Sequence, residues 1–223
     1  MTFYEIYASA VVRLWGDTTP PTSAIAFLQG ANGIIANAHR QLQQDYNYWF
    51  LRAYTSWPTV AGTQTYGLPA ECKEIINLQF KKADEDYFLD PMSVLSLTEP
   101  FKTQWINEQT QVEYPTFYEL LGESITIYPP PSGIRTVHLI YWSFFDRPVA
   151  ADWVSGSSTE DSVIEYAGDI LSYLSAAEYS LIMKEYDQYQ VYNQKAEELI
   201  FKLKQENYRR IQAPLQEVVY EEF

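Results

Sequence analysis

Two histidines, one cysteine and two clusters of carboxylates are the residues best equipped for chemistry in this chain: His39, His138, Cys72, the trio Asp84, Glu85 and Asp86, and the pair Glu160 and Asp161. A thiol beside an imidazole is an attacking pair, because the ring takes the proton and leaves a thiolate. Nothing in the spacing of Cys72 and either histidine marks such a pair. His39 falls in the polar part of a helical stretch and reads as a surface histidine. His138, in the strand-like TVHLIYW, reads as outward-pointing, since Val137 and Leu139 take the other face. Two carboxylates cleave a glycoside when held about 5–10 Å apart across a cleft. The run ADED reads instead as a solvated hairpin tip, and Glu160 with Asp161 suits the positive end of the helix that follows. DEDYFLD lacks the alternating ligands, central glycine and closing glutamate of a calcium loop. GxSxG, HExxH, GxxxxGK[ST] and a GxGxxG after a strand are all missing, so no signature of a catalytic, cofactor or metal site is present.

These residues must be carried by elements, and composition bounds what those are. The chain has 223 residues, 47% hydrophobic and 20% charged, which suits one well-buried core or one large and one small lobe. Tyrosine occurs 19 times and tryptophan 6 times, more than one small core needs. Such side chains bring large contact area with little flexibility, which suits protein interfaces. The net charge of −14 opposes tight binding of nucleic acid, although an acidic wall would let a polyanion slide past without sticking. A single cysteine forms no intrachain disulfide. The segment MTFYEIYASAVVRLWGD, with Glu5 and Arg13, does not read as a signal peptide, and no run approaches the roughly 18 apolar residues of a membrane span.

Residues 3 to 15 read as a helix with Thr2 as N-cap and Gly16 after its end. A second, longer helix is expected from Thr22 or Ser23 to about residue 47, with Leu28, Ile35, Leu42 and Trp49 seven apart and Ala24, Ala31 and Ala38 four residues before the first three. Gly30 and Gly33 weaken it by about 1 kcal/mol each and suggest close approach of a neighbouring backbone. From residue 52 to about 145 the grammar is β. RAYTSWPTV and GTQTYGLP read as a first strand pair, and KEIINLQFKK and DYFLDPM as a second, joined across ADED. Ser93 is placed to cap a short helix broken near Pro100. Thr116 to Leu121, Ser124 to Tyr128 and Thr136 to Phe144 give three more strands.

Helix returns after the Ser/Gly-rich residues 155 to 159. Val163, Ala167, Ile170, Leu174, Ala177 and Leu181 set one seam. Tyr192, Ala196, Leu199 and Leu203 set a second after a break near KEYD. The expected class is α+β, a helical bundle of N- and C-terminal helices with an inserted, mostly antiparallel β lobe. Its divisions are residues 1–51, 52–150, 151–210 and an extended C-terminal arm, 211–223.

The order of these motifs resembles a known family. A helix pair ending in HRQLQQDYNYWFLR, then GTQTYGLP, then PTFYELLGESITIYPPP and VHLIYW, is similar to the head-to-tail adaptor proteins of tailed bacteriophages, over roughly residues 22 to 205. The resemblance implies a structural virion protein and not an enzyme. It implies a homo-oligomeric ring, typically a dodecamer, below the portal protein, which extends the channel for genomic DNA and offers a platform to tail or nozzle proteins. It implies no cofactor, no membrane, and a place at the head–tail interface after assembly in the host cytoplasm. It further implies that the arm docks on the portal, with Leu215, Val218, Val219, Tyr220 and Phe223 as its apolar contacts. Two other readings of the residues remain: a virion-associated cell-wall hydrolase working through acidic side chains, and a generic assembly or binding module.

Overall fold

The first helix begins where its cap predicts. In a computed structural model of the chain, residues 2–16, 20–30, 32–82, 85–91, 111–146, 148, 150–153 and 161–212 are described. Helix α1 runs Phe3–Trp15. Thr2 Oγ1 accepts from the Glu5 amide at 3.2 Å while the Thr2 amide donates to the Glu5 carboxylate at 2.7 Å, so two otherwise orphaned donors are satisfied reciprocally. Gly16 ends the helix at φ 63°, a conformation that favours glycine.

The expected long second helix is two. Helix α2 spans Thr22–Leu28 and α3 spans Ile34–Asp45. Between them Gly30 takes φ 93°, and the Gly33 amide donates to the Gly30 carbonyl at 3.0 Å. A Cβ on Gly33 would sit 2.4 Å from the Gln29 carbonyl oxygen, so the close approach at Gly33 is to the chain's own preceding turn and not to the backbone of a neighbouring element, while a Cβ on Gly30 would meet nothing within 4 Å. The apolar spacing survives the break. Ala24, Leu28, Ile35, Ala38 and Leu42 are all buried, because the turn returns the chain in the same phase.

Helix α4, Ser162–Ile182, and helix α5, Tyr186–Gln212, form the expected hairpin. Lys184 at φ 63° makes the break, and the Glu185 amide donates to the Ser180 carbonyl at 2.8 Å. Helix α4 touches α1, α2, α3 and α5. Its buried Gly168, Ser172, Ser175, Ala176 and Ala177 are small, so neighbouring helices can come close on several sides. The predicted seam is shifted: Leu174 is only half-buried and Leu181 is exposed, whereas Ile164 and Leu171 are fully buried. A helix packed on several sides buries more than one stripe, and a single-stripe reading cannot locate the second.

Residues Arg52–Phe144 form one compact unit, and the two helical stretches, Met1–Leu51 and Phe145–Phe223, form another. The β unit has strands β1 (Arg52–Pro58), β2 (Thr65–Gly67), β3 (Cys72–Lys82), β4 (Glu85–Phe88), β5 (Asp90–Pro91), β6 (Phe117–Leu121), β7 (Ser124–Tyr128) and β8 (Thr136–Ser143). They make two four-stranded sheets, ordered β1-β8-β3-β4 and β2-β7-β6-β5. Only β5 and β6 run parallel among the named pairs. The chain is α+β, as expected.

The expected pairing of RAYTSWPTV with GTQTYGLP does not occur. Strand β1 pairs with β8 from Arg52↔Trp142 to Pro58↔Thr136, and β2 pairs with β7 in the other sheet. The connection fails to reverse on itself because it is tied elsewhere. The Thr59 amide donates to the Arg135 carbonyl, the Gly62 amide to Pro131, and the Gln64 carbonyl accepts from Ile127, which carries the chain from one sheet to the other. The β3–β4 reversal falls where expected, with Gln79↔Phe88 to Lys82↔Glu85 in register, but Glu85 and Asp86 of ADED pair in the ladder instead of forming its tip, and DYFLDPM is divided, since Asp90–Pro91 pairs with β6 in the other sheet; residues 83 and 84 lie outside the described set. The short helix expected after Ser93 also lies outside it. Leu78, Phe80, Val137, Leu139 and Tyr141 from one sheet meet Tyr118, Ile125 and Ile127 from the other in a shared core.

Candidate functional site

The side chains best equipped for chemistry are spent on structure. His39 is buried, not exposed as its polar neighbours suggested. Its Nε2 lies 2.8 Å from Asp161 Oδ2, and its Nδ1 lies 3.1 Å from Gln43 Nε2, a set satisfied when Nε2 carries the proton. Gln43 Oε1 then accepts from the Phe145 amide at 2.6 Å. Asp161 Oδ1 accepts from the amides of Val163 and Ile164, so this carboxylate caps α4, as expected of the Glu160–Asp161 pair; Glu160 is outside the described residues. His138 lies on the face opposite Val137 and Leu139, as read, against the Tyr54 hydroxyl. Cys72 is half-buried, and burial, with Glu71 beside it, pushes its thiol up, away from an attacking thiolate. Cys72 is opposite Ser143 in the β3–β8 ladder and His138 is opposite Gln79, so thiol and imidazole sit at different ends of the sheet. Among the described residues no group of three or more His, Cys, Asp or Glu could hold a metal ion.

What the sequence does assemble is an aromatic junction. The run DYNYWFLR ends α3 and turns through a 3-10 stretch, Trp49–Leu51. Tyr48 and Phe50 stack at 5.2 Å, Phe50 stacks on Tyr166 of α4 at 5.3 Å, and Trp49 meets Tyr166 edge-on. The Arg210 guanidinium lies 4.4 Å from the Trp49 ring centre, and Lys204 lies 5.2 Å from that of Tyr46. Asn207, 1% exposed, fastens the run from the α5 side. Its Oδ1 accepts from the Trp49 amide at 2.7 Å and its Nδ2 donates to the Asn47 carbonyl at 3.2 Å.

The outer face of α5 is apolar in places where a lone chain leaves it in water. Phe201 and Tyr208 are each 62% exposed, and Val191 and Ile211 are also exposed. Leu181, Ile182, Met183 and Tyr186 extend the exposed apolar surface around the α4–α5 turn. Lys195 and Lys202 hold the Glu198 carboxylate down at about 2, and Arg210 pairs with Glu206. Lys204 and Arg209 have no ion-pair partner among the described residues. A face that combines rings with unpaired cations is suited to an acidic, aromatic partner.

Compared with known families, residues 1–217 match the family model described as SU10 adaptor protein. The chain belongs to the SU10 adaptor protein family. No curated protein matches it. Membership makes it a structural adaptor protein of a bacteriophage and a component of the virion, and no helix among the described residues is long and apolar enough to cross a membrane.

In this SU10 adaptor the motifs that carried the resemblance are spread over both units: the DYNYWFLR run in the helical one, and GTQTYGLP, PTFYELLGESITIYPPP and VHLIYW in the β one. The arm residues Leu215, Val218, Val219, Tyr220 and Phe223 lie outside the described residues. Asn207 and the His39–Asp161 pair were missed in the sequence. A signal for Asn207 existed: it falls four residues after Leu203, a polar residue in an apolar seam position. Asn207→Ala is expected to cost about 1–3 kcal/mol, because it leaves the part-buried Trp49 amide and Asn47 carbonyl without this partner. An unchanged thermal midpoint and unchanged tryptophan emission would remove the clamp assignment.

Proposed function

We propose that copies of this chain assemble as a ring below the portal, extend the channel through which genomic DNA passes, and give tail or nozzle proteins their docking platform. Membership of the adaptor family over residues 1–217 carries this reading. The exposed rings and aliphatic side chains on α5 and around the α4–α5 turn support it, since they supply apolar area for a neighbour. In a ring each contact is heterologous, one surface against a different one on the next copy, and twelve copies is the stoichiometry this reading adopts from the resemblance. The acidic net charge of −14 suits a wall past which DNA moves without adhering. In this scheme the helical stretches form the body, the β unit the inserted lobe, and the residues beyond α5 the portal-docking arm.

The test is to mix the protein with its portal ring and image the particles by electron microscopy. An added collar with rotational symmetry on the tail-facing side is the expected result, and bare portals over a range of salt and protein concentrations would overturn it. Removal of residues 214–223 is expected to leave the fold intact and weaken portal attachment by about tenfold or more, because an extended arm contributes contacts but little core. Unchanged affinity in the truncated protein would sink the arm assignment.

A further inference from the structure

We infer that, in the free subunit, the C-terminal arm is held by its own chain on the outer face of α5. The receiving surface is a groove of about 480 Å³ lined by Tyr46, Phe201, Lys204, Gln205, Tyr208 and Arg209. Its charged members are both cations, in a chain whose net charge is −14, and neither has an ion-pair partner among the described residues. The chain beyond α5 has the complementary chemistry. Residues 213–223, APLQEVVYEEF, contain Glu217, Glu221 and Glu222, no lysine or arginine, and the apolar Val218, Val219, Tyr220 and Phe223.

Length permits the contact. Helix α5 rises about 1.5 Å per residue, so Arg209 and Lys204 lie about 5 and 12 Å before Gln212. Extended chain spans about 3.3 Å per residue, so Glu217 has about 16 Å of reach and Glu221 about 30 Å. Both exceed the distances to the two cations. Tethering favours the arm of the same chain over that of a second copy, because a short linker gives an effective concentration in the millimolar range. The groove then serves as a resting place from which a stronger acceptor draws the arm. If that acceptor is the portal, the contact also keeps the arm from free subunits until the portal is met; this last clause alone rests on the proposed function.

The arm is read out by a glutamate-specific protease, with fragments followed by mass spectrometry. Cleavage at Glu217, Glu221 and Glu222 in the intact protein is expected to be slower than in a synthetic peptide of residues 213–223. The double variant Lys204→Glu, Arg209→Glu, at exposed positions, is expected to speed cleavage of the arm about tenfold while leaving circular dichroism unchanged. Adding Glu221→Lys and Glu222→Lys to that variant is expected to restore arm protection at Glu217, the remaining site. Protection that stays constant over about a hundredfold range of protein concentration supports the same-chain contact. Cleavage as fast as in the peptide, no response to the double variant, or protection that grows with concentration would each overturn the inference. The portal takes no part in the experiment, so its failure leaves the ring reading standing.

Discussion

Asp161→Ala is expected to destabilise the helical unit by about 1.5–5 kcal/mol, through the loss of a helix cap and of a buried hydrogen-bond partner together. One carboxylate does two jobs. Its Oδ1 caps α4 through the Val163 and Ile164 amides, a contribution of about 0.5–2 kcal/mol. Its Oδ2 satisfies the buried His39, and losing that partner leaves imidazole Nε2 in an apolar setting beside Phe3, at a further cost of about 1–3 kcal/mol. Asp161→Asn separates the two, because an amide oxygen can still serve as a helix cap while the negative charge is gone. Urea unfolding followed by helical circular dichroism reads both variants. A shift below about 1 kcal/mol for the alanine variant would show that the pair is dispensable.

In the β unit the largest effect is expected at Phe80. Its ring is 0% exposed in the core shared by the two sheets, with Tyr114 edge-on at 6.2 Å. Phe80→Ala is expected to cost about 3–5 kcal/mol through lost burial and the cavity left behind. Phe88 provides the control. It is 54% exposed, and its truncation is expected to change stability by less than about 0.5 kcal/mol. Equal midpoints for the two variants would mean that the sheets do not share the core described.

How far the sequence was legible follows from the range of the interactions involved. The α1 cap was readable because Thr2 and Glu5 are three residues apart and need nothing else. The β3–β4, β6–β7 and α4–α5 reversals were readable for the same reason, each being a local change of direction. The division of the expected second helix at Gly30–Gly33 was hidden because the heptad phase continues across it. The partners of β1 and β2 were hidden because they depend on strands more than fifty residues away. His39 was misread for a related reason. It lies among Arg40, Gln41, Gln43 and Gln44, and the residue that makes its burial tolerable, Asp161, is 122 positions distant. The arm residues rest on composition and resemblance, and composition gives chemistry without position.

The pairing of Arg52 with Trp142 has a consequence for how such a protein changes over time. The β unit is entered at one end of β1 and left at the adjacent end of β8, where paired backbones are about 5 Å apart. A piece whose two ends leave side by side can be exchanged as a cassette: a replacement of another length or shape joins at the same two points without asking the helices to be rebuilt. A replacement piece therefore needs only two ends at that spacing to rejoin the chain, and a lineage could trade one set of loops for another as its contacts change.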